Sequence, residues 1–204
     1  MNLGKLFAES CSSYKDNRAL VYENSRITYQ AMDRAVNSLA NRLKSMGVGK
    51  GDKVALMLPN TPEFPITYFA CQKLGAVAVT LNVMSTAHEL QHLLDNSDAK
   101  VLVTTAQSAR RFEEIKDRLA TCRHLLLTEV NEGPLSMKKA MEDGPFEFEA
   151  SDAAEDDPAV MIYTSGLTGK PLGAVLTHGN LISQSRLLAD LFEGSQRDTG
   201  LSLI

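Results

Sequence analysis

The sequence predicts an α/β fold, in which a parallel-type β-sheet is covered by helices. Short apolar runs with strand character alternate with segments of helical periodicity along most of the chain, and this alternation is typical of parallel sheets. Hydrophobic residues make up 44% and charged residues 23% of the 204 residues, so the chain can bury a core and is not disordered as a whole. Against roughly 150 residues per domain, this length corresponds to one large domain or one and a half small ones.

The first predicted elements are a strand at residues 26–29 and a long amphipathic helix after it. A continuous apolar run at 54–58 predicts a strand that is buried on both faces. The helix at 62–74 has two prolines in its first turn, and we expect Thr61 to cap it and Gly75 to end it. The alternation then continues with a strand at 76–80, a helix at 87–94, a strand at 100–104, a helix at 107–119 and a strand at 124–127.

The composition changes between residues 131 and 158, where acidic residues crowd the stretch 142–157. We interpret this segment as a solvated connector between an α/β subdomain, residues 1–130, and a final segment, residues 159–204. The final segment is predicted to contain two strands, a loop between them and a helix. Their predicted bounds are 159–163 and 174–176 for the strands and 180–192 for the helix. Because residues 201–204 resemble the beginning of another strand, we expect an incomplete N-terminal domain of a longer protein.

The charge balance argues against several classes of partner. Lys and Arg total 21 against 25 Asp and Glu, which gives a net charge of −4 and no general attraction to nucleic acid or anionic lipid.

The most apolar stretch, residues 68–83, is too short and too polar to form a transmembrane segment. The cysteines Cys11, Cys71 and Cys122 form no paired motif, so we interpret them as core or surface residues of a protein in a reducing, cytoplasmic compartment.

The loop between the last two predicted strands carries the chemistry. Residues 163–173 read Tyr-Thr-Ser-Gly-Leu-Thr-Gly-Lys-Pro-Leu-Gly. Glycines let a backbone approach an anion closely, and Ser and Thr hydroxyls add hydrogen-bond donors, so this composition is typical of a phosphate-binding loop. It is not a Walker A loop, because Pro171 follows Lys170 and the first position is Thr164 rather than glycine. On spacing alone, a flexible hairpin is the alternative.

These residues resemble a known family. Residues 162–181 are similar to the signature loop of the AMP-forming acyl-CoA synthetases, within the adenylate-forming superfamily of acyl- and aryl-CoA ligases, luciferases and adenylation domains. The resemblance covers nearly the whole chain. Its other segments are residues 27–29, 51–55, 73–77, 156–157 and 176–181.

The resemblance implies an ATP-dependent ligase that couples a small-molecule carboxylic acid, and a fatty acid in particular, to coenzyme A through an acyl-adenylate. It implies ATP and Mg²⁺ as cofactors, with coenzyme A bound mainly by later sequence. It also implies that the catalytic residues lie beyond residue 204, so that this chain is inactive alone. By position, the nucleotide-binding residues are Thr164, Ser165, Gly166, Leu167, Thr168, Gly169 and Lys170.

Two positions depart from the family pattern. Leu167 stands where the family has threonine, and Leu172 stands where it has lysine. Loss of a charge-assisted contact costs about 1.5–3 kcal/mol, so we expect weakened nucleotide binding. The departures also favour a second hypothesis, a non-catalytic module that binds nucleotide or a partner protein. A sheet edge exposed near residue 204 would in addition favour self-association.

A rival motif is formally present, because His88-Glu89-Leu90-Gln91-His92 satisfies the HExxH pattern of zinc peptidases. Thr86 and Glu89 are, however, spaced as a capping box, and helical geometry places both histidines on the solvent face. Candidate third ligands downstream are Glu113, Glu114 and Glu129. His178 directly follows the loop; we interpret it as part of a helix start, with a phosphate contact as the alternative.

Overall fold

The computed structural model describes residues 1–164, 171–195 and 198–200. Its helices are α1 (Leu3–Ser13), α2 (Tyr29–Ser45), α3 (Glu63–Leu74), α4 (Ala87–Ser97), α5 (Ala106–Glu113), α6 (Met137–Glu142) and α7 (His178–Leu191). Its strands are β1 (Arg18–Tyr22), β2 (Ser25–Thr28), β3 (Lys53–Met57), β4 (Val77–Thr80), β5 (Ala99–Thr104), β6 (His124–Leu127), β7 (Pro158–Thr164) and β8 (Leu172–Thr177).

Six of these strands form one sheet in the order β6-β5-β3-β4-β7-β8. Every neighbouring pair from β6 to β7 runs parallel, and β8 pairs with β7 in the antiparallel direction. The separate pair of β1 and β2 is an antiparallel hairpin. The predicted α/β class with a parallel-type sheet is therefore confirmed.

Helices cover both faces of the sheet, as the side chains of β3 show. Val54 and Leu56 lie in the core that α1, α2, α3 and α6 form on one face, whereas Ala55 and Met57 lie in the core that α4 and α5 form on the other. Successive residues of a strand point to opposite faces, and a strand covered on both faces reads as a continuous apolar run. This explains why the apolar segment at 54–58 is so uniform.

The predicted end of α3 is confirmed, and its predicted start is not. Gly75 has φ +70° at the C-cap, and a Cβ there would lie 2.5 Å from Ser151 Oγ, so both conformation and space require glycine. Thr61 was expected to cap the helix, but Pro62 occupies the N-cap and no side chain caps the first turn. Thr61 instead belongs to a turn, in which its carbonyl accepts a hydrogen bond from Phe64 N at 3.0 Å.

Other element boundaries differ from the prediction. Tyr29, predicted to end a strand, begins α2 because Thr28 caps that helix through Ala31 N. The helix predicted at 107–119 ends at Glu113 and is followed by a 3₁₀ turn, Lys116–Arg118. The helix α1 and the strand β1 were not predicted. The strand begun at 201–204 lies outside the described residues.

The acidic segment at 131–158 contains a helix that the sequence did not reveal. In α6, Met137 and Ala140 are buried against the core beside α2. The Ser38 hydroxyl donates to Ala140 O at 2.8 Å, and Asn41 donates to the carbonyls of Pro145 and Glu147. The segment is therefore attached to α2 along its length, while most of its carboxylates remain exposed. The division into three segments at 130 and 158 stays a prediction.

The first turn of α1 is held by residues that lie about 150 positions later in the sequence. Asn2 Nδ2 donates to the carbonyls of Ser151 and Ala153 at 3.0 and 2.9 Å. Farther along α1, the ring of Phe7 stacks on that of Phe69 with centroids 4.2 Å apart. Helix α1 is thereby fixed against both α3 and the segment that precedes β7.

A lysine is buried between α2 and α3. The Lys73 side chain is only 2% exposed, and its ammonium lies 2.7 Å from Asp33 Oδ1 and 2.6 Å from Asn37 Oδ1. The same ammonium stands 5.8 Å from the ring centroid of Phe7. A buried charge of this kind requires such partners, so this part of the resembling segment 73–77 serves the scaffold.

The cysteines, predicted to be core or surface residues, all lie in the core. Cys11, Cys71 and Cys122 are free and buried, and burial raises the pKa of each thiol to about 12. Thiols with such pKa values are inert as nucleophiles at neutral pH. Among the helices that the structure describes, none is long and apolar enough to cross a membrane.

Candidate functional site

The predicted phosphate-binding loop begins at the carboxyl edge of the parallel sheet. Strand β7 runs parallel to β4 with Ile162 opposite Thr80, so Thr164 is the residue at which β7 leaves the sheet. In open α/β sheets, ligands bind at the carboxyl ends of the strands. Thr164 is exposed at this edge, and its hydroxyl donates a long hydrogen bond to Leu172 O.

The two ends of the loop are held together by the antiparallel pairing of β7 and β8. Thr164 lies opposite Leu172 and Tyr163 opposite Gly173, and Thr164 Oγ1 stands 3.4 Å from Leu172 O. A Cβ at residue 173 would lie 3.0 Å from Met161 Sδ, so a larger residue there would press on the Met161 side chain. The remaining predicted site residues lie outside the described residues; they are Ser165, Gly166, Leu167, Thr168, Gly169 and Lys170.

Helix α4 supports the strand that leads into the loop. Tyr163 Oη donates to Asn96 Oδ1 at 2.7 Å, and it stands 3.4 Å from Leu93 O. Burial raises the pKa of Tyr163, so the phenol stays protonated and remains a donor at neutral pH. The part played by Asn96 could not be predicted from the sequence, because no local pattern links residues 67 positions apart.

The segment after the loop forms a capped helix start. Thr177 is the N-cap of α7 and makes a capping box with Asn180. The first helical residue, His178, is fully buried, and its Nδ1 accepts a hydrogen bond from Leu3 N at 3.3 Å. Burial lowers the pKa of His178, so the ring is neutral at pH 7. His178 therefore contributes to the helix start, as the preferred interpretation held, and its Nδ1 is engaged by α1.

Three other family-like segments, residues 51–55, 73–77 and 156–157, meet at the opposite, amino edge of the sheet. Gly51 N donates to Gly75 O at 2.8 Å, and Val77 N donates to Asp52 O at 2.7 Å, so the starts of β3 and β4 are joined directly. Asp157, just before β7, accepts from Ala154 N at 2.8 Å and pairs with Lys50 at 3.1 Å. These bonds lower the pKa of Asp157. Away from the loop, the resembling segments thus position the strands that carry it.

The HExxH pattern lies on α4 but does not form a peptidase site. The Glu89 carboxylate accepts from Thr86 N at 2.7 Å in the predicted capping box, and this bond lowers its pKa. His88 and His92 are exposed on the solvent face, as helical spacing predicted. The side chains of residues 1–164, 171–195 and 198–200 include no group of three or more His, Cys, Asp or Glu that could hold a metal ion.

Comparison with known proteins identifies the family. Residues 7–203 match the family model described as AMP-binding enzyme. The chain belongs to the AMP-binding enzyme family. A curated relative, the crotonobetaine/carnitine–CoA ligase of Escherichia coli, is 35% identical over 191 residues, which cover 88% of this chain and 37% of that protein. This AMP-binding chain therefore spans about 37% of the length of the curated relatives it matches.

Solved structures agree with this assignment. The chain is similar to a fatty acyl CoA synthetase of Mycobacterium tuberculosis, with a TM-score of 0.84 and 29% identity over 93% of this chain and 37% of that one. It is also similar to the anthranilate CoA ligase AuaEII, solved in complex with anthranoyl-AMP, with a TM-score of 0.85 and 25% identity over 92% and 36% of the two chains. The fold is thus that of the N-terminal part of the large domain of adenylate-forming enzymes.

Proposed function

We propose that this chain supplies the ATP-phosphate-binding part of an AMP-forming carboxylic acid–CoA ligase. In that reaction a carboxylate attacks the α-phosphate of ATP, which releases pyrophosphate and leaves an acyl-adenylate. The sulfur of coenzyme A then attacks the acyl carbon, and AMP leaves. The observation that carries the proposal is the position of Thr164, the first residue of the Ser/Thr/Gly-rich loop, at the carboxyl edge of a sheet shared with named CoA ligases.

In this proposal the loop binds the β- and γ-phosphates of ATP. Its donors are the hydroxyls of Thr164, Ser165 and Thr168, together with backbone N–H groups that Gly166 and Gly169 leave accessible. Mg²⁺ offsets charge on the phosphates and is bound largely through substrate phosphates in such sites.

We propose a fatty acid as the substrate, with coenzyme A bound mainly by sequence beyond this chain. The related proteins are named for chemically different acids, namely carnitine or crotonobetaine, fatty acids and anthranilate. The substrate acid is therefore identified by an assay of the longer protein. The assay measures the release of pyrophosphate from ATP in the presence of each class of acid. Because this chain spans about 37% of its relatives, we propose that it does not complete the reaction alone. A cytoplasmic location stays a prediction.

Two leucines favour a second candidate, a non-catalytic nucleotide- or partner-binding module. The side chain of Leu172 is exposed at the end of the loop, where the family pattern has lysine. Leu167 replaces a hydroxyl in the loop itself. A missing cation beside the pyrophosphate group weakens both binding and the stabilisation of the leaving group. Formation of acyl-adenylate by the longer protein separates a ligase from this module.

The loop assignment is tested by calorimetric titration of this chain with Mg·ATP. The double variant Leu167→Thr/Leu172→Lys restores the hydroxyl and the cation, and we expect it to bind at least about tenfold more tightly. The variant Leu188→Lys adds the same charge on the exposed face of α7 and is expected to leave affinity unchanged. Equal binding by all three proteins would overturn the role of the leucines, and binding by none would overturn the loop as an ATP site in this chain.

A further inference from the structure

The solvent face of α4 holds a group of polar side chains that the proposed ligase function does not use. His88, Gln91, His92, Asp95 and Asn96 line an open depression of about 460 Å³. The opposite face of the helix carries Leu90, Leu93 and Leu94, which are buried in the core. The apolar face thus fixes α4 against the core, while the polar face remains accessible to solvent.

The two histidines stand one helical turn apart on this face. Residues four apart on a helix lie one above the other, so both imidazoles can reach a common ion. Both side chains are exposed, and among the described residues no hydrogen bond or ion pair engages either ring. Glu89, which lies between them in sequence, is held by Thr86 and does not compete for them. Their nitrogens are therefore free to act as ligands.

We propose that His88 and His92 chelate a divalent transition-metal ion, of the class of Zn²⁺, Ni²⁺ or Cu²⁺. Neutral imidazole suits these ions, whereas Mg²⁺ and Ca²⁺ prefer oxygen ligands. Asp95 in the same depression adds negative charge nearby, although its Oδ1 already accepts from Ala120 N at 3.0 Å. Water completes the coordination, so the site differs from a zinc peptidase centre, which has three protein ligands and a free carboxylate base.

The proposed ion would bind next to Asn96, the residue of α4 that contacts the strand leading into the nucleotide loop. Asn96 lines the same depression and accepts the hydrogen bond from Tyr163, the residue before Thr164. A ligand that binds only the folded state stabilises that state by an amount that rises with the logarithm of the ratio of its concentration to its dissociation constant. An ion held across one turn of α4 is therefore expected to stabilise the helix that holds β7.

The site is tested with protein that carries no affinity tag, by calorimetry and by thermal unfolding in NiCl₂, ZnCl₂ or MgCl₂. We expect one Ni²⁺ or Zn²⁺ per chain, a raised melting temperature and no response to Mg²⁺. Removing one ligand by His88→Gln or His92→Gln is expected to weaken binding at least about tenfold, since even supporting residues of metal sites contribute 10–100-fold.

The matched control is His124→Gln, which removes an exposed histidine at the start of β6. It is expected to bind the ion as the original chain does. Retained affinity in both α4 variants, or an equal loss in the control, would show that the ion binds elsewhere and would overturn the proposal. Because the readout is metal binding without ATP, its outcome is independent of the proposed ligase function.

Discussion

At the scale of single residues, the burial of Lys73 shows how charge is used inside this fold. A buried ammonium is tolerated because Asp33 and Asn37 both accept from it at less than 3 Å. Asp33 also accepts from the Asn37 amide at 3.1 Å, which joins the three side chains in one network. The sequence predicted a helix at Lys73 but not its burial, because the partners come from a different helix.

We expect mutation of Asp33 and mutation of Lys73 to lower the free energy of unfolding by different amounts. Asp33→Asn leaves a buried charge without its counterion and should lower the free energy of unfolding by about 3 kcal/mol. Lys73→Met leaves Asp33, which retains part of its solvent contact, and should be clearly less destabilising. Urea denaturation of both variants checks this, with the exposed Asp16→Asn as control. Equal losses for Asp33→Asn and Lys73→Met would contradict this account.

His178 makes stability depend on pH. Burial lowers its pKa in the folded state below the ordinary value of 6.5, so protons bind the unfolded state first. The contribution of neutral His178 is thus fully present above pH 6.5 and is lost as the pH falls below that value. Asp157 partly opposes this shift, while Lys50 and the N-terminal amine act with burial.

The measurement is the free energy of unfolding between pH 7.5 and 5. His178→Gln should start less stable but lose less stability over this range than the original chain. The variant His124→Gln, at an exposed position, should keep the original slope. An unchanged slope in His178→Gln would show that another group is responsible.

At the scale of elements, the alternation of strand and helix patterns and the continuous apolar runs were enough to predict the sheet. Contacts between side chains far apart in sequence determine the features that were not predicted. The run at 124–127 coincides with β6, because three consecutive leucines after His124 form an apolar run that is too short for a helix. The short helix α6 depends on burial of Met137 beside α2, which no local pattern reveals. Likewise, the loop could be recognised by its composition, but its support by α4 could not.

The bond between α4 and β7 gives an element-scale prediction. Tyr163→Phe removes the donor to Asn96 while keeping the ring, and should lower the free energy of unfolding by about 0.5–1.5 kcal/mol. Chemical denaturation measures this, and Tyr22→Phe in the hairpin, whose hydroxyl has no hydrogen bond in the described part of the chain, is the control. If both variants lose the same amount, the bond to Asn96 has no special role.

At the scale of the whole molecule, the surface of β8 and α7 is unusually apolar. Its exposed large hydrophobic side chains are Leu172, Val175, Leu187, Leu188, Leu191 and Phe192. Within the described residues β8 pairs with β7 alone, so its other edge presents free backbone groups. Apolar side chains beside an open strand edge favour pairing with a second chain.

We therefore expect this chain to self-associate as its concentration rises. Sedimentation velocity should show a concentration-dependent increase in mass, which Leu191→Glu should reduce by placing a charge on the apolar face. Leu135→Glu alters an exposed leucine elsewhere and should leave association unchanged. A monomer at all concentrations would contradict this expectation.

The anchoring of α1 has a consequence for synthesis on the ribosome. Leu3 is separated by 175 residues from His178, whose ring accepts its backbone hydrogen bond. At roughly 5–20 residues per second, about 9–35 s pass between the synthesis of the two partners. Phe7 can meet Phe69 much earlier, so α1 can settle on α3 while its first turn is still unattached. The first turn of α1 is therefore secured much later than the rest of that helix.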